Sequence, residues 1–310
     1  MPDLSVIIVS WNVRDLLRDC LRSVLAGAGG LVLELIVVDS GSADGTAEMV
    51  REEFPQVHLI ARPDNVGFPK GNNLGLEVAN GRTLLLLNPD TVVVGEALPT
   101  AVAYLAAHPA VGMVGCQLLN SDGSVQSSRR RFPTLMTAVY ESTWLQPLAP
   151  RSLLRHYYAE DVADDETAEV DWVMGAFLLT RREIIAQVGG MDEAYFMYSE
   201  ELDWCKRIKA AGWQVVYLPT AQVIHHQGKS SEQASTQRHI HFNRAKLRYF
   251  RKYHGRLPAL LLRLILLLNF ATQLLLETAK GIVGHKRPLR WQRARAYWQV
   301  LRSGLRPAGE

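Results

Sequence analysis

The sequence predicts an α/β fold, a mostly parallel central sheet flanked by helices. Three observations predict it. Apolar runs of strand length alternate with amphipathic segments of helix length from Leu4 through Val94. The runs LSVIIVS, LELIVVD and RTLLLLNPDTVVV lack the in-out alternation of a half-solvated strand, so each is buried on both faces. The joints between them are short and rich in Gly, Ser, Asn and Asp, as in right-handed βαβ units.

In order, Leu4–Ser10 is a strand ending at Trp11-Asn12, and Leu16, Leu17, Leu21, Val24 and Leu25 give Arg14–Leu25 a helical apolar face. Leu33–Asp39 is the second strand, Ser40–Thr46 a turn, Ala47–Glu53 a helix and Val57–Ala61 a short strand. A polar loop from Arg62 to Gly75 runs into a helix, and its Arg, Lys, Asn and Gly residues fit an anion site at a helix start. Arg82–Val94 carries four leucines into Asn88-Pro89-Asp90. The proline stops the ladder and leaves Asp90 at the strand's carboxyl end, where open α/β sheets bind ligands. Asp39 ends its strand in the same way. For both, the alternative is an ordinary turn or capping carboxylate.

Beyond a helix ending near His108-Pro109, Val111–Leu118 is a strand and Asp122-Gly123 a turn. Arg129, Arg130 and Arg131 either meet a diphosphate or solvate a loop, and solvation is the better fit. The acidic segment Glu160–Glu169 is expected to be an exposed, mobile loop, with Val170–Thr180 a strand. Ser199 is placed as the cap of a helix from Glu200 to Ala211, with Glu200, Glu201 and Asp203 in its first turn. Tyr195, Phe196, Tyr198 and Trp204 supply apolar surroundings that would raise the basicity of one of these acids. Strand Val215–Leu218, a turn at Pro219 and an extended Val223–His226 follow. Adjacent His225 and His226 point opposite ways there.

The ordered set VSWN, VVDSGSADGT, NVGFPKGNNLG and LLLLNPD resembles the inverting, GT-A-fold, family 2 type glycosyltransferases that use nucleotide-sugar donors, in particular their rhamnosyltransferase-like branch. The resemblance covers about residues 4–250. It implies a Rossmann-like GT-A sheet in which Ser10, Asn12 and Asp39 grip the base and ribose, with Asn65, Gly67, Lys70 and Asn73 along the donor. It implies Mg²⁺ or Mn²⁺ at an Asp-x-Asp position, read here as Asn88 and Asp90, with His225 a further metal ligand and His226 its reserve. The neutral Asn88 leaves Asp90 as the firmer ligand. Gly175 and Ala176 would let a sugar approach. Glu201 stands where the family has the catalytic Asp, with Glu200 and Asp203 orienting it or the acceptor, and Lys229 and Ser230 near the diphosphate. The implied reaction moves a sugar, first rhamnose from dTDP-rhamnose or otherwise a UDP-sugar, to a glycan or polyprenyl-diphosphate-linked acceptor of the cell envelope.

Charge divides the chain. Residues 1–237 hold 18 Lys/Arg and 29 Asp/Glu, and residues 238–310 hold 16 and 2. A glycosyltransferase domain over 1–237 and a basic, apolar helical tail over 238–310 are therefore expected. The longest uncharged stretch of the tail, Leu264–Leu276, is 13 residues, short of the roughly 20 a span needs. A helix or hairpin lying on the inner face of the cytoplasmic membrane fits better, with Trp291, Tyr297 and Trp298 at headgroup level. The alternatives are a buried core helix or a homodimer interface. No nucleic-acid recognition motif accompanies the basic residues. Cys20, Cys116 and Cys205 make neither a disulfide framework nor a zinc pattern, and MPDLSVIIVS reads as no secretory leader, so a cytoplasmic, peripherally membrane-bound enzyme is expected. A nicotinamide oxidoreductase would need Gly-x-Gly-x-x-Gly where Ser10-Trp11-Asn12 stands. A non-catalytic nucleotide-sugar sensor or membrane scaffold could dispense with Glu201 and His225.

Overall fold

The computed structural model describes residues 1–226, 235–284 and 286–306. Strands β1 (Leu4–Ser10), β2 (Leu33–Ser40), β3 (His58–Arg62) and β4 (Thr83–Leu87) alternate with helices α1 (Arg14–Ala26), α2 (Thr46–Glu53) and α3 (Phe68–Val78). Then come β5 (Thr91–Val93), α4 (Ala97–Ala107), β6 (Val111–Leu119), β7 (Val125–Gln126), β8 (Arg129–Arg130), α5 (Leu135–Ser142) and α6 (Arg151–Tyr157). Strands β9 (Ala168–Val170), β10 (Trp172–Val173) and β11 (Phe177–Arg181) lead to α7 (Arg182–Val188), α8 (Glu200–Ala210) and β12 (Gln214–His225). The tail is α9 (Ser235–His254), α10 (Arg256–Val283) and α11 (Arg287–Ser303).

The chain divides into two compact units. One comprises Met1–Phe132, Tyr158–Phe196 and Glu200–Ser230; the other comprises Pro133–Tyr157, Met197–Ser199 and Ser231–Glu310. The expected boundary at 237/238 is thus drawn differently, because the second unit also takes in α5 and α6 from mid-sequence. Polar side chains explain this: Lys246 Nζ lies 2.8 Å from Glu141 Oε2, and Asn269 Oδ1 accepts from the Trp144 amide at 3.2 Å.

In the first unit the sheet order is β3-β2-β1-β4-β11-β6-β12-β5, with β7 on β6 and β9 on β12. The β3-β2-β1-β4 half is parallel, as expected, and β11 is antiparallel to both β4 and β6. All seven residues of β1 are buried. Helix α3 lies close on that strand because Gly71 and Gly75 face it: a methyl group on Gly71 would meet Val9 at 2.7 Å. Two expected elements differ. Val170–Thr180 is three strands, broken at Asp171 and at 174–176 so that Gly175 sits in a turn between paired segments. Pro219 makes no turn. It lies within β12, where pairing with β6 shifts register between Leu218 and Gln222, and a bulge absorbs its missing N–H.

In the second unit α10 is one continuous 28-residue helix with mean hydropathy 2.0 over its most apolar window, long and apolar enough to cross a membrane. Glu277 is nonetheless buried, and both its oxygens accept from Arg290 Nη1 of α11 at 2.8 Å. Leu257, Leu260, Leu261, Leu264, Leu268 and Leu275 stay exposed along the helix.

Candidate active site

The parallel register sets Ser10 beside Asp39 at the carboxyl ends of β1 and β2. Both side chains are buried, and Ser10 Oγ and Asp39 Oδ1 are enclosed with no hydrogen-bond partner. Burial pushes the Asp39 carboxyl above its ordinary value, and hydrogen bonds from Ser42 offset this only in part. Two unsatisfied oxygens at strand ends suit a ligand that brings its own donors. Asn12 lies just beyond, at φ 53°, with its amide oxygen taking the Ala43 N–H at 2.8 Å. Asn65 Oδ1 accepts from the Gly67 amide at 3.0 Å, and Lys70 is exposed in the first turn of α3. Gly67 has φ +82° and sits where a methyl group would strike the Phe196 carbonyl at 2.5 Å. Asn73 is committed elsewhere. It spans the Met191 backbone, donating to its carbonyl and accepting from its amide, each at 2.9 Å, and also donates to Glu193.

Beyond β4, the backbone of Asn88 is held on both sides: its N–H donates to the Ala176 carbonyl at 3.0 Å and its carbonyl accepts from Thr91 Oγ1 at 2.7 Å. Behind it the Cys20 thiol, pushed to about 12 by burial, stays protonated and inert. Asp90 is 6% exposed, and its Oδ1 lies 3.4 Å from Nε2 of His225, also 6% exposed. The two histidines separate as an extended strand dictates. His226 Nδ1 is paired with Ser121 Oγ at 2.8 Å, while His225 Nδ1 meets Gln126 Oε1 at 2.8 Å.

Among the described residues no group of three His, Cys, Asp or Glu gathers to hold a metal ion. The Asp90–His225 pair nevertheless fits one: two atoms that can each offer a lone pair face each other at 3.4 Å. Mg²⁺ and Mn²⁺ sites of this kind take their remaining oxygens from substrate phosphates and water. Lys229 and Ser230 lie outside the described residues.

Glu200 and Glu201 open α8, each with an Oε2 enclosed and unpartnered. Burial raises both carboxyls above the ordinary range, Glu200 further because the charge of Glu201 adds to it. Gly175 lies against Glu201, and Ala176 beside it holds the Asn88 amide, so backbone joins this acid to the Asn88–Asp90 turn. Asp203, two positions on, is held by other partners. It is fully buried, bound by Arg207 Nε at 2.9 Å and by the Tyr195 hydroxyl at 3.4 Å, while Arg207 also donates to the Val188 and Gly190 carbonyls. Trp204 is buried with its indole N–H on the Gly189 carbonyl, and Tyr198 packs edge-on against Phe242.

The arginine run is structural. Arg129 is buried on Asp164 at 2.8 Å, and Arg131 meets Asp161 at 3.1 Å. These pairs, with buried Val162, anchor the acidic segment that composition alone reads as mobile. Gln126 is the residue sequence reasoning missed. The available signal was its place in the strand after the Asp122-Gly123 turn, which brings it back beside β6, and an amide carries no charge to draw notice.

The mostly parallel sheet flanked by helices, with Asp90 and His225 beside the ends of β4 and β12, is the fold of a GT-A-type glycosyltransferase. Residues 2–240 match the family described as Glycosyltransferase like family 2, and the chain belongs to it, in its rhamnosyltransferase-like branch. It is 30% identical over 247 residues to the N-acetylglucosaminyl-diphospho-decaprenol L-rhamnosyltransferase of Mycobacterium tuberculosis, covering 74% of this chain and 77% of that one. It is 29% identical over 168 residues to the rhamnosyltransferase WbbL of Escherichia coli, covering 52% and 61%. Among solved structures, the Pyrobaculum calidifontis mannosyltransferase in complex with GDP-Man and Mn²⁺ shares the fold, with TM-score 0.57, 20% identity, and coverage of 97% of this chain and 86% of that one.

Proposed function

We propose that the chain transfers rhamnose, with inversion, from dTDP-rhamnose to a polyprenyl-diphosphate-linked glycan at the inner face of the cytoplasmic membrane. The sugar and acceptor follow from the relatives named for rhamnosyl transfer, one of them to a decaprenol-diphosphate acceptor. The observation that carries the catalytic reading is Glu201: a carboxylate with an enclosed, unsatisfied oxygen, beside a glycine whose neighbour Ala176 accepts from the Asn88 backbone N–H.

Ser10 and Asp39 accept hydrogen bonds from the base and ribose. Asp90 and His225 hold Mg²⁺ or Mn²⁺, which when bound supplies Lewis-acid stabilisation of the departing nucleoside diphosphate. Glu201 takes the proton of the acceptor hydroxyl as that oxygen attacks the anomeric carbon opposite the leaving group. Its raised pKa makes it a better base once ionised. Burial and the charge of Glu201 both push the Glu200 carboxyl up, which disfavours a second negative charge at the start of α8.

The tail supplies the membrane contact. Exposed leucines along α10 and exposed Trp291 and Trp298 on α11 combine with a net tail charge that favours anionic headgroups. The Glu277–Arg290 pair favours a hairpin lying in one leaflet, because a spanning α10 would draw the basic α11 toward the hydrocarbon. The test is a screen of nucleotide sugars for Mn²⁺-dependent thermal stabilisation, followed by transfer to a polyprenyl-diphosphate N-acetylglucosamine acceptor. dTDP-rhamnose should be selected and transferred. Donor binding without transfer or donor hydrolysis, with or without Mn²⁺, would instead define a sensor.

A further inference from the structure

Behind His225 runs a chain of hydrogen bonds whose direction is set at its far end. Asp122 closes a turn, and hydrogen bonds from the Ser124 side chain and backbone hold its carboxyl below the usual range, so it only accepts. Ser124 Oγ donates to Asp122 Oδ1 at 2.6 Å. That spends the single hydroxyl proton, so Ser124 Oγ accepts from Asn120 Nδ2 at 2.9 Å. Asn120 Oδ1 therefore faces Gln126 and accepts from its Nε2 at 3.0 Å. The same Nε2 is 3.5 Å from the His225 carbonyl, a second acceptor, which fixes the amide's orientation. Gln126 Oε1 then faces His225 Nδ1 at 2.8 Å, and an amide oxygen there requires a proton on Nδ1.

We propose that the series Asp122, Ser124, Asn120 and Gln126 selects the Nδ1–H tautomer of His225, presenting a bare Nε2 lone pair to the divalent cation beside Asp90. Gln126 is thus a positioning residue, and the inference rests on the reading of Asp90 and His225 as metal ligands. An amide suits the task because it orients the ring without a charge that would favour imidazolium, and a ligating imidazole must be neutral. Gln126 is 8% exposed, so its amide has no water-filled surroundings in which to turn.

The experiment uses ¹⁵N-labelled, metal-free, full-length protein. Two-bond ¹H–¹⁵N spectra report the tautomer, with His225 signals assigned by their loss in His225→Ala, and Mn²⁺ alone is titrated with free ion read by electron paramagnetic resonance. Wild type should show Nδ1–H at His225. Gln126→Leu should lose that preference and weaken Mn²⁺ binding by about 10- to 100-fold, and Gln126→Glu, which keeps the acceptor while adding a charge, should keep Nδ1 protonated. Ser124→Ala, at an exposed turn position, should give mixed tautomers without emptying the interior. Nε2–H in wild type, or a His225 spectrum unchanged in Gln126→Leu and Ser124→Ala, overturns the proposal. Wild-type Mn²⁺ affinity in His225→Ala would overturn the ligand reading instead, leaving the tautomer assignment to the spectra.

Discussion

Gly175 lies against Glu201: a methyl group on Gly175 would stand 3.7 Å from the Glu201 Cβ and 3.9 Å from its carboxyl carbon. In the proposed reaction, the absent side chain leaves space beside Glu201 for the acceptor hydroxyl. Glu201→Gln keeps the shape and removes the basicity. It is expected to lower kcat by roughly 10²–10⁴-fold, with donor-induced thermal stabilisation unchanged. Near-normal turnover in this variant would end the assignment.

Asp90→Ala removes one of the two facing ligand atoms. The expected result is weaker Mn²⁺-dependent donor binding by calorimetry, with metal-free donor binding little altered, since in the proposed reaction the nucleoside falls to Ser10 and Asp39. Equal loss with and without Mn²⁺ would contradict the metal role.

The paired acids give a pH signature of definite sign. Glu200 has a folded pKa well above its ordinary value, through burial first and the Glu201 charge second. The folded state then holds a proton that the unfolded state has released, so stability falls as pH rises from the ordinary carboxylate range toward the raised value. Glu200→Gln is expected to raise Tm at pH 8 and to have no such advantage below about pH 4. Denaturation curves at the two pH values check this.

Asp203 and Arg207 call for a different outcome. Asp203→Ala leaves Arg207 without its buried carboxylate and removes an acceptor from the Tyr195 hydroxyl. A loss of about 3 kcal/mol in unfolding free energy is expected. In the fraction that stays folded, the pH dependence of kcat should match wild type, and a shifted profile would give Asp203 a part in the chemistry.

Leu264→Asp with Leu268→Asp places two charges on exposed positions of α10, which are 54% and 66% accessible. Sedimentation with anionic vesicles should be lost while Tm is kept. Retained sedimentation, or a change from dimer to monomer instead, would move the apolar face from membrane to self-association.

The sequence by itself determined the strands, the carboxylates at their ends, the acidic start of α8 and the basic tail. Burial on both faces and helical spacing are local patterns, and a strand's end is visible wherever the apolar run stops. Only the tertiary structure decided which polar residues share a space. Asn73 and Asp203 carry the same functional groups as Asn65 and Glu201, yet they are consumed by the Met191 backbone and by Arg207. Arg129 and Asp164 are paired, as are His225 and Gln126, although the latter two stand 99 positions apart in the chain. Sheet order and register bring such partners together, and no period within the sequence encodes a neighbour at that distance.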